Sequence, residues 1–208
     1  MDRYVQYGCG FSAPQGWINY DASPTLRFER IPLIGKFYTK NSQPFPSDVR
    51  YGDIVKGLPE APNSSKGVYC SHILEHLCYE DFILALKNTY KILQPGGVFR
   101  GVVPDLRSAA EDYLASFGET ANPAAGFMRG TLLGVERRER TLQGLLKGMM
   151  GNSKHLWMWD YPSLEAELHQ AGFRNIRQAN YGDAEDQQFK LVEDEGRFYK
   201  AAAFECFK

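Results

Sequence analysis

The chain has 208 residues and a formal net charge of −1, with 25 acidic and 24 basic side chains, so no global charge draws it to nucleic acid or to an anionic membrane. That length fits one domain with a sizeable core, and no apolar run approaches the ~20 residues that span a bilayer. There is no basic-then-apolar leader, and the four cysteines (Cys9, Cys70, Cys78, Cys206) stand at neither redox nor metal-ligand spacing, which fits a cytoplasmic protein with reduced thiols.

Tyr4-Val5-Gln6-Tyr7 reads as a strand running into the turn Gly8-Cys9-Gly10, and Trp17-Ile18-Asn19-Tyr20 as a second strand ending in Asp21. A nucleotide-type cofactor asks for that arrangement: glycines let the backbone approach the ligand, and an acid at the next strand tip accepts ribose hydroxyl hydrogen bonds. The third glycine of the dinucleotide fingerprint is missing, with Ser12-Ala13-Pro14 in its place, and no second dinucleotide half follows, which argues against a dehydrogenase. Only ten residues separate Gly10 from Asp21, fewer than the dozen or so a crossover helix takes, so the first helix is expected to shrink to about a turn. Leu26 to Pro46 reads as a long surface loop, Val49-Arg50-Tyr51 as a short third strand followed by Gly52-Asp53, and Leu58 to Lys66 as another loop.

Val68-Tyr69-Cys70 is the fourth predicted strand, leading into Ser71-His72-Ile73-Leu74-Glu75-His76-Leu77. A helix is expected from Tyr79 to Leu93, with Phe82, Leu86, Tyr90 and Leu93 at helical spacing, acids in the first turn and lysines late. Gln94-Pro95-Gly96-Gly97 stops it, and Val98 to Val103 forms a strand ending at Pro104-Asp105. Strand, helix, strand with short connections predicts a parallel sheet with helices on its faces. Helices are read over Leu106 to Phe117 and from Phe127 to about Met150, and Arg129 to Lys154 carries six basic and two acidic side chains, a net of +4. A capped helix Ser163 to Ala171 ends at Gly172, a strand follows over Asn175 to Tyr181, and an acidic loop, Asp183 to Glu195, leads to a last strand, Ala201 to Phe207. The two closing strands suit an antiparallel hairpin at a sheet edge.

Several side chains have two readings. His72, Glu75 and His76 form a cluster whose two histidines, four apart, suggest a metal, but the neighbouring sequence offers no further ligand, so no metal site is expected and Glu75 and His76 read as partners of backbone donors or caps of the next helix. Asp105, at the carboxyl end of a central strand, either contacts substrate as a base or caps the next helix. His155 and Asp160 flank Trp157 and Trp159, either as a hydrophobic staple leading into a helix or as a pocket wall. The basic stretch is a solvated helix face or a lid over an anionic substrate.

With these blocks in order, "YGCG…GWINYD", "YCSHILEHL", "LQPGGVFRGVVPDL" and "HLWMWDYPSLEAELHQAGF", the chain resembles the class I S-adenosylmethionine-dependent methyltransferases, and among them a small bacterial group of surface-polysaccharide gene neighbourhoods. The resemblance implies a Rossmann-like α/β fold: a seven-stranded, mostly parallel sheet with helices on both faces and an antiparallel last strand, in one domain over 1–208 with 106–154 as a helical insert or lid. It implies that Gly8, Cys9 and Gly10 line the methionine part of S-adenosylmethionine, Asp21 holds the ribose, Asp53 the adenine amino group, and Ile54 packs on the ring. Ser71 and His72 would lie beside the sulfonium and the acceptor. The acceptor would be a small molecule or a saccharide, not nucleic acid, and S-adenosylhomocysteine the product. An oxygen acceptor needs a base, for which His72, Asp105 and His155 are the candidates. Gln6 stands where the family's acid salt-bridges the cofactor amine. With the shortened first crossover, it motivates the alternative of a non-catalytic module that keeps the fold. The oligomeric state is not legible.

Overall fold

The computed structural model describes residues 2–32, 43–136 and 154–208. Seven strands form one sheet: β1 (Tyr4–Tyr7), β2 (Trp17–Asp21), β3 (Arg50–Tyr51), β4 (Ser65–Ser71), β5 (Leu93–Pro104), β6 (Arg174–Gln178) and β7 (Ala201–Phe207), in spatial order β3-β2-β1-β4-β5-β7-β6. β1 pairs in parallel with β2 and β4, β2 with β3, and β4 with β5, whereas β7 runs antiparallel to both β5 and β6. Parallel pairing sends β1, β2, β4 and β5 to the same edge, where their carboxyl ends carry Gly8, Asp21, Ser71 and Asp105.

The sheet is buried on both faces, which follows from period-two alternation along each strand. Val5 and Tyr7, Val68 and Cys70, Phe99 and Val103 join a cluster with Phe82, Leu86, Leu164 and Leu168. Those last four come from α2 (Tyr79–Ile92) and α5 (Tyr161–Gln170). Tyr4, Tyr69 and Val102 face the other way, onto Trp17, Phe189 and Val192. The acidic loop is thus a structural cover: it wraps this second face and is tied down from within. Arg100, fully buried in β5, donates to Glu193, to Glu205 at 2.9 Å, to Asp183 at 2.7 Å and to the Asn180 carbonyl at 2.6 Å.

Four expectations need correction. Between β1 and β2 there is no helix at all, only turns across residues 8–16, because parallel neighbours can be joined by a short tight link when no crossover helix is packed beneath them. The presumed surface loop opens with α1 (Pro24–Glu29), capped by the Ser23 side chain and burying Leu26 with Cys9, Phe45 and Val49; residues 33–42 lie outside the described set. Pro95-Gly96-Gly97 does end α2, but its backbone already belongs to β5. After α3 (Leu106–Ala115), α4 runs over Pro123–Gly130, begun by the Asn122 cap, rather than starting at Phe127. It ends at Gly130, and residues 131–136 are turn and irregular, so the helix expected to run on toward Met150 is broken there; the rest of that helix, and most of the basic stretch, lies outside the described residues.

Candidate active-site edge

Gly8 and Gly10 both have positive φ, +66° and +55°, which only glycine adopts without strain. They differ in surroundings. A Cβ on Gly8 would stand 2.1 Å from the Ile73 side chain, whereas one on Gly10 would meet nothing within 4 Å. The Gly10 N–H donates to Asp21 Oδ2 at 2.9 Å and the Ser23 N–H to Oδ1 at 2.7 Å. The glycine turn and the acid therefore converge, as the sequence suggests, and the carboxylate first serves to fasten them. Phe11 stacks on Phe45 with ring centroids 5.0 Å apart, and Trp17 lies at the far end of β2 in the second core cluster, away from the two tips.

The Cys9 thiol is pushed up to about 12 by burial and by the Asp21 charge, so it is a packing group and not a nucleophile. Asp53 Oδ1 accepts from Val55 N–H at 3.0 Å and the carboxylate pairs with Lys56 at 3.1 Å. Ile54 is buried in the main core. Gln6 is buried with its Oε1 making no hydrogen bond. For an adenosine-bearing donor the fit is specific in two places. The side of Gly10 is open, and Asp21 uses two of the roughly four lone-pair sites a carboxylate offers. Over Gly8 the space is taken by Ile73, which a ligand lying there has to displace.

These features sit on a recognisable scaffold. No family model matches the chain, and no curated protein does. Among solved structures, a S-adenosylmethionine-dependent methyltransferase of Thermotoga maritima, described as a possible histamine N-methyltransferase, matches with a TM-score of 0.54 at 16% identity, over 100% of this chain and 83% of its own. The CurJ carbon methyltransferase matches with a TM-score of 0.50 at 12% identity, over 99% of this chain and 48% of its own. The chain has a methyltransferase fold.

On that fold, Ser71 ends β4 in the interior and His72 follows with φ +55°. The His72 N–H donates to Val102 O at 2.8 Å, and its Nε2 lies 3.0 Å from Arg197 O. Burial lowers its pKa. Asp105 acts as the N-cap of α3, accepting from the N–H groups of Arg107 and Ser108 and from the Ser108 hydroxyl. It also lines a cavity of about 320 Å³ between α3 and α4, floored by Pro104 and Met158 and walled by Tyr113 and Phe127. That size lies at the lower end of small-ligand pockets. Asp160 caps α5 through Ser163 N–H at 2.9 Å. Trp159 is core, 4.1 Å from Phe82 by ring centroids, while Trp157 is exposed.

Three histidines, two of them local and one from far along the chain, meet around one acid. Glu75 is fully buried; its Oε1 lies 3.5 Å from His72 Nδ1, 3.9 Å from His76 Nε2 and 3.9 Å from His155 Nε2. Sequence reasoning grouped His72, Glu75 and His76 but left His155 apart from them. His72 sits before the turn Leu74–His76 rather than on a helix with it. The histidine nearest His76 is His155, with ring centroids 4.9 Å apart. Backbone bonds do this: Leu156 and Trp157 N–H both donate to Glu75 O, at 2.7 and 3.2 Å. No local spacing announces such a contact. The cavity walls were missed for the same reason; the one available signal was the Asn122-Pro123 break, which folds α4 back on α3. Among the described residues no helix is long and apolar enough to cross a membrane.

Proposed function

We propose that this chain transfers the methyl group of S-adenosylmethionine to a small-molecule or glycan-type acceptor, leaving S-adenosylhomocysteine, and does so as one cytoplasmic domain with 106–154 as a lid. The observation that carries the reading is the 2.9 Å bond from Gly10 N–H to Asp21 at the carboxyl edge of a parallel sheet, which makes the glycine turn and the acid a single wall. The resemblance to the small bacterial group adds support through its sequence blocks.

When bound, S-adenosylmethionine supplies an electrophilic methyl on a sulfonium, and the protein's part is alignment and exclusion of water. The backbone of Gly8, Cys9 and Gly10 would line the methionine portion. The spare lone pairs of Asp21 would take the ribose hydroxyls, Asp53 the adenine amino group, and Ile54 would support the ring from the core. Ser71 and His72 border the reacting end. Of the three candidate bases His72 is best placed. Its Nε2 faces a carbonyl, so that nitrogen carries the hydrogen and Nδ1 keeps a lone pair; that lone pair turns toward Glu75 at 3.5 Å, so the ring has to rotate to take a proton from a methyl acceptor. Asp105 spends both oxygens on α3, and His155 is 8% exposed. The cavity beside Asp105 would receive the acceptor, its Lys200–Asp112 pair at the wall offering polar contacts.

Ile73 over Gly8 and Gln6 in place of an acid favour a second reading, a module that keeps the fold without turnover. Calorimetric titration with S-adenosylmethionine and S-adenosylhomocysteine separates the two. Binding to the native chain is expected, with Asp21→Ala weakening it roughly 10- to 100-fold, the loss of hydrogen bonds to a charged group; the melting temperature of the variant is the check on folding. No heat and no thermal shift with either ligand would sink the enzyme reading. Binding with no methyl transfer across a broad acceptor panel leaves the module.

A further inference from the structure

We propose that Glu75, His76 and His155 form a binding site for a divalent first-row transition ion of the zinc type, at the substrate side of the sheet edge. Three of the chain's four histidines gather here. One ligand atom from each of Glu75, His76 and His155 lies within 4.8 Å of the others. The wider set of side chains is rich in acceptors, a mismatch that a proton on Glu75 or a bound cation relieves. His76 Nδ1 lies 2.9 Å from Lys154 O and His72 Nε2 3.0 Å from Arg197 O. A carbonyl can only accept, so those nitrogens carry the hydrogens, and His76 Nε2 and His72 Nδ1 present lone pairs. Both lone pairs point at Glu75, whose two carboxylate oxygens make no hydrogen bond although the side chain is fully buried. With Glu75 ionised, as metal binding requires, acceptors face acceptors across 3.5 to 3.9 Å in the interior.

A metal-bound imidazole normally donates its second nitrogen to a carbonyl or carboxylate, and His76 is already set that way. Tetrahedral coordination at 2.0–2.2 Å implies ligand-to-ligand spacings of about 3.3–3.6 Å, so the two 3.9 Å contacts close by about half an ångström and the remaining spacing, within 4.8 Å, by up to about 1.5 Å. Two imidazoles and a carboxylate are a donor set that suits zinc or ferrous ion and leaves coordination positions open. An oxygen of a bound molecule could occupy one of them and be polarised there.

The test needs no methyl donor, so its outcome is separate from that of the S-adenosylmethionine titration. Chelator-stripped protein is dialysed against Co²⁺, and bound metal and visible d–d bands are measured, then competed with Zn²⁺. One Co²⁺ per chain is expected, with bands that Zn²⁺ abolishes. Glu75→Gln and His155→Ala should each weaken binding by more than about 100-fold, the upper end of what loss of a mere outer-shell partner costs. His169→Ala, on α5 away from the cluster, should leave binding unchanged. Circular dichroism confirms folding, and the two ligand variants guard against one failing to fold. Absence of bound Co²⁺ and of d–d bands in the native chain overturns the proposal, as does full binding by both Glu75→Gln and His155→Ala.

Discussion

Two glycines two positions apart serve different ends. Gly8 has positive φ and no room for a Cβ beside Ile73, while Gly10 has positive φ and open space. Gly10→Ala is therefore expected to lose about 1–2 kcal/mol, the strain of a left-handed residue. Gly8→Ala adds overpacking of roughly 1–3 kcal/mol. Urea denaturation of both variants and of Gly8→Ala/Ile73→Ala checks this: the double variant should recover the overpacking part through coupling between touching residues. Equal losses for the two glycines would show that Ile73 is not the constraint. Glu75 is the other residue whose surroundings set its role. Burial raises its pKa to about 8, far from what a surface glutamate four residues past a strand would show.

At the scale of elements, the sheet's second face depends on a polar clasp. Arg100 in β5 and Arg177 in β6 hold Asp183, Glu193 and Glu205, joining the closing loop to three strands. Removing one partner of a buried network leaves uncompensated charge, so Arg100→Met should destabilise by about 3–5 kcal/mol. Burial alone would raise the Asp183 pKa, but hydrogen bonds from Arg177 and Arg100 outweigh it and the net shift is downward. A depressed folded pKa contributes stability above the unfolded value near 3.8 and loses it as pH falls through the folded value. The stability gap between the native chain and Asp183→Asn should thus be widest at neutral pH and narrow below about pH 4; a gap that stays constant in acid would contradict the clasp. On the other face, Phe82 joins α2 to Trp159, and Phe82→Ala is expected to lose about 3–5 kcal/mol by chemical denaturation.

For the molecule as a whole, ligand binding must appear as stability. A ligand at 100 times its Kd adds about 2.7 kcal/mol, and a chain of this size gains roughly 2–4 °C per kcal/mol. Saturating S-adenosylhomocysteine should therefore raise the melting temperature by roughly 5–11 °C, and calorimetric scanning reads it directly. A metal at Glu75 would add its own shift, removable by chelator, so each ligand can be scored in the absence of the other.

Strand identity, the parallel centre, the antiparallel close and the cofactor-type edge were legible because each rests on local pattern. Alternating apolar residues, Gly8 and Gly10 at a turn, the Tyr79–Ile92 periodicity and the Pro95-Gly96-Gly97 stop all act within a few residues. Likewise, Asp21 could be matched to the glycine turn because neighbouring parallel strands bring their tips together. Tertiary structure alone decided the rest. It set Ile73 over Gly8, closed the acidic loop on a buried arginine, shaped the cavity between α3 and α4, and carried His155 to Glu75 through two backbone bonds. These contacts join residues tens of positions apart, and their geometry follows from how whole layers pack, which no local spacing encodes.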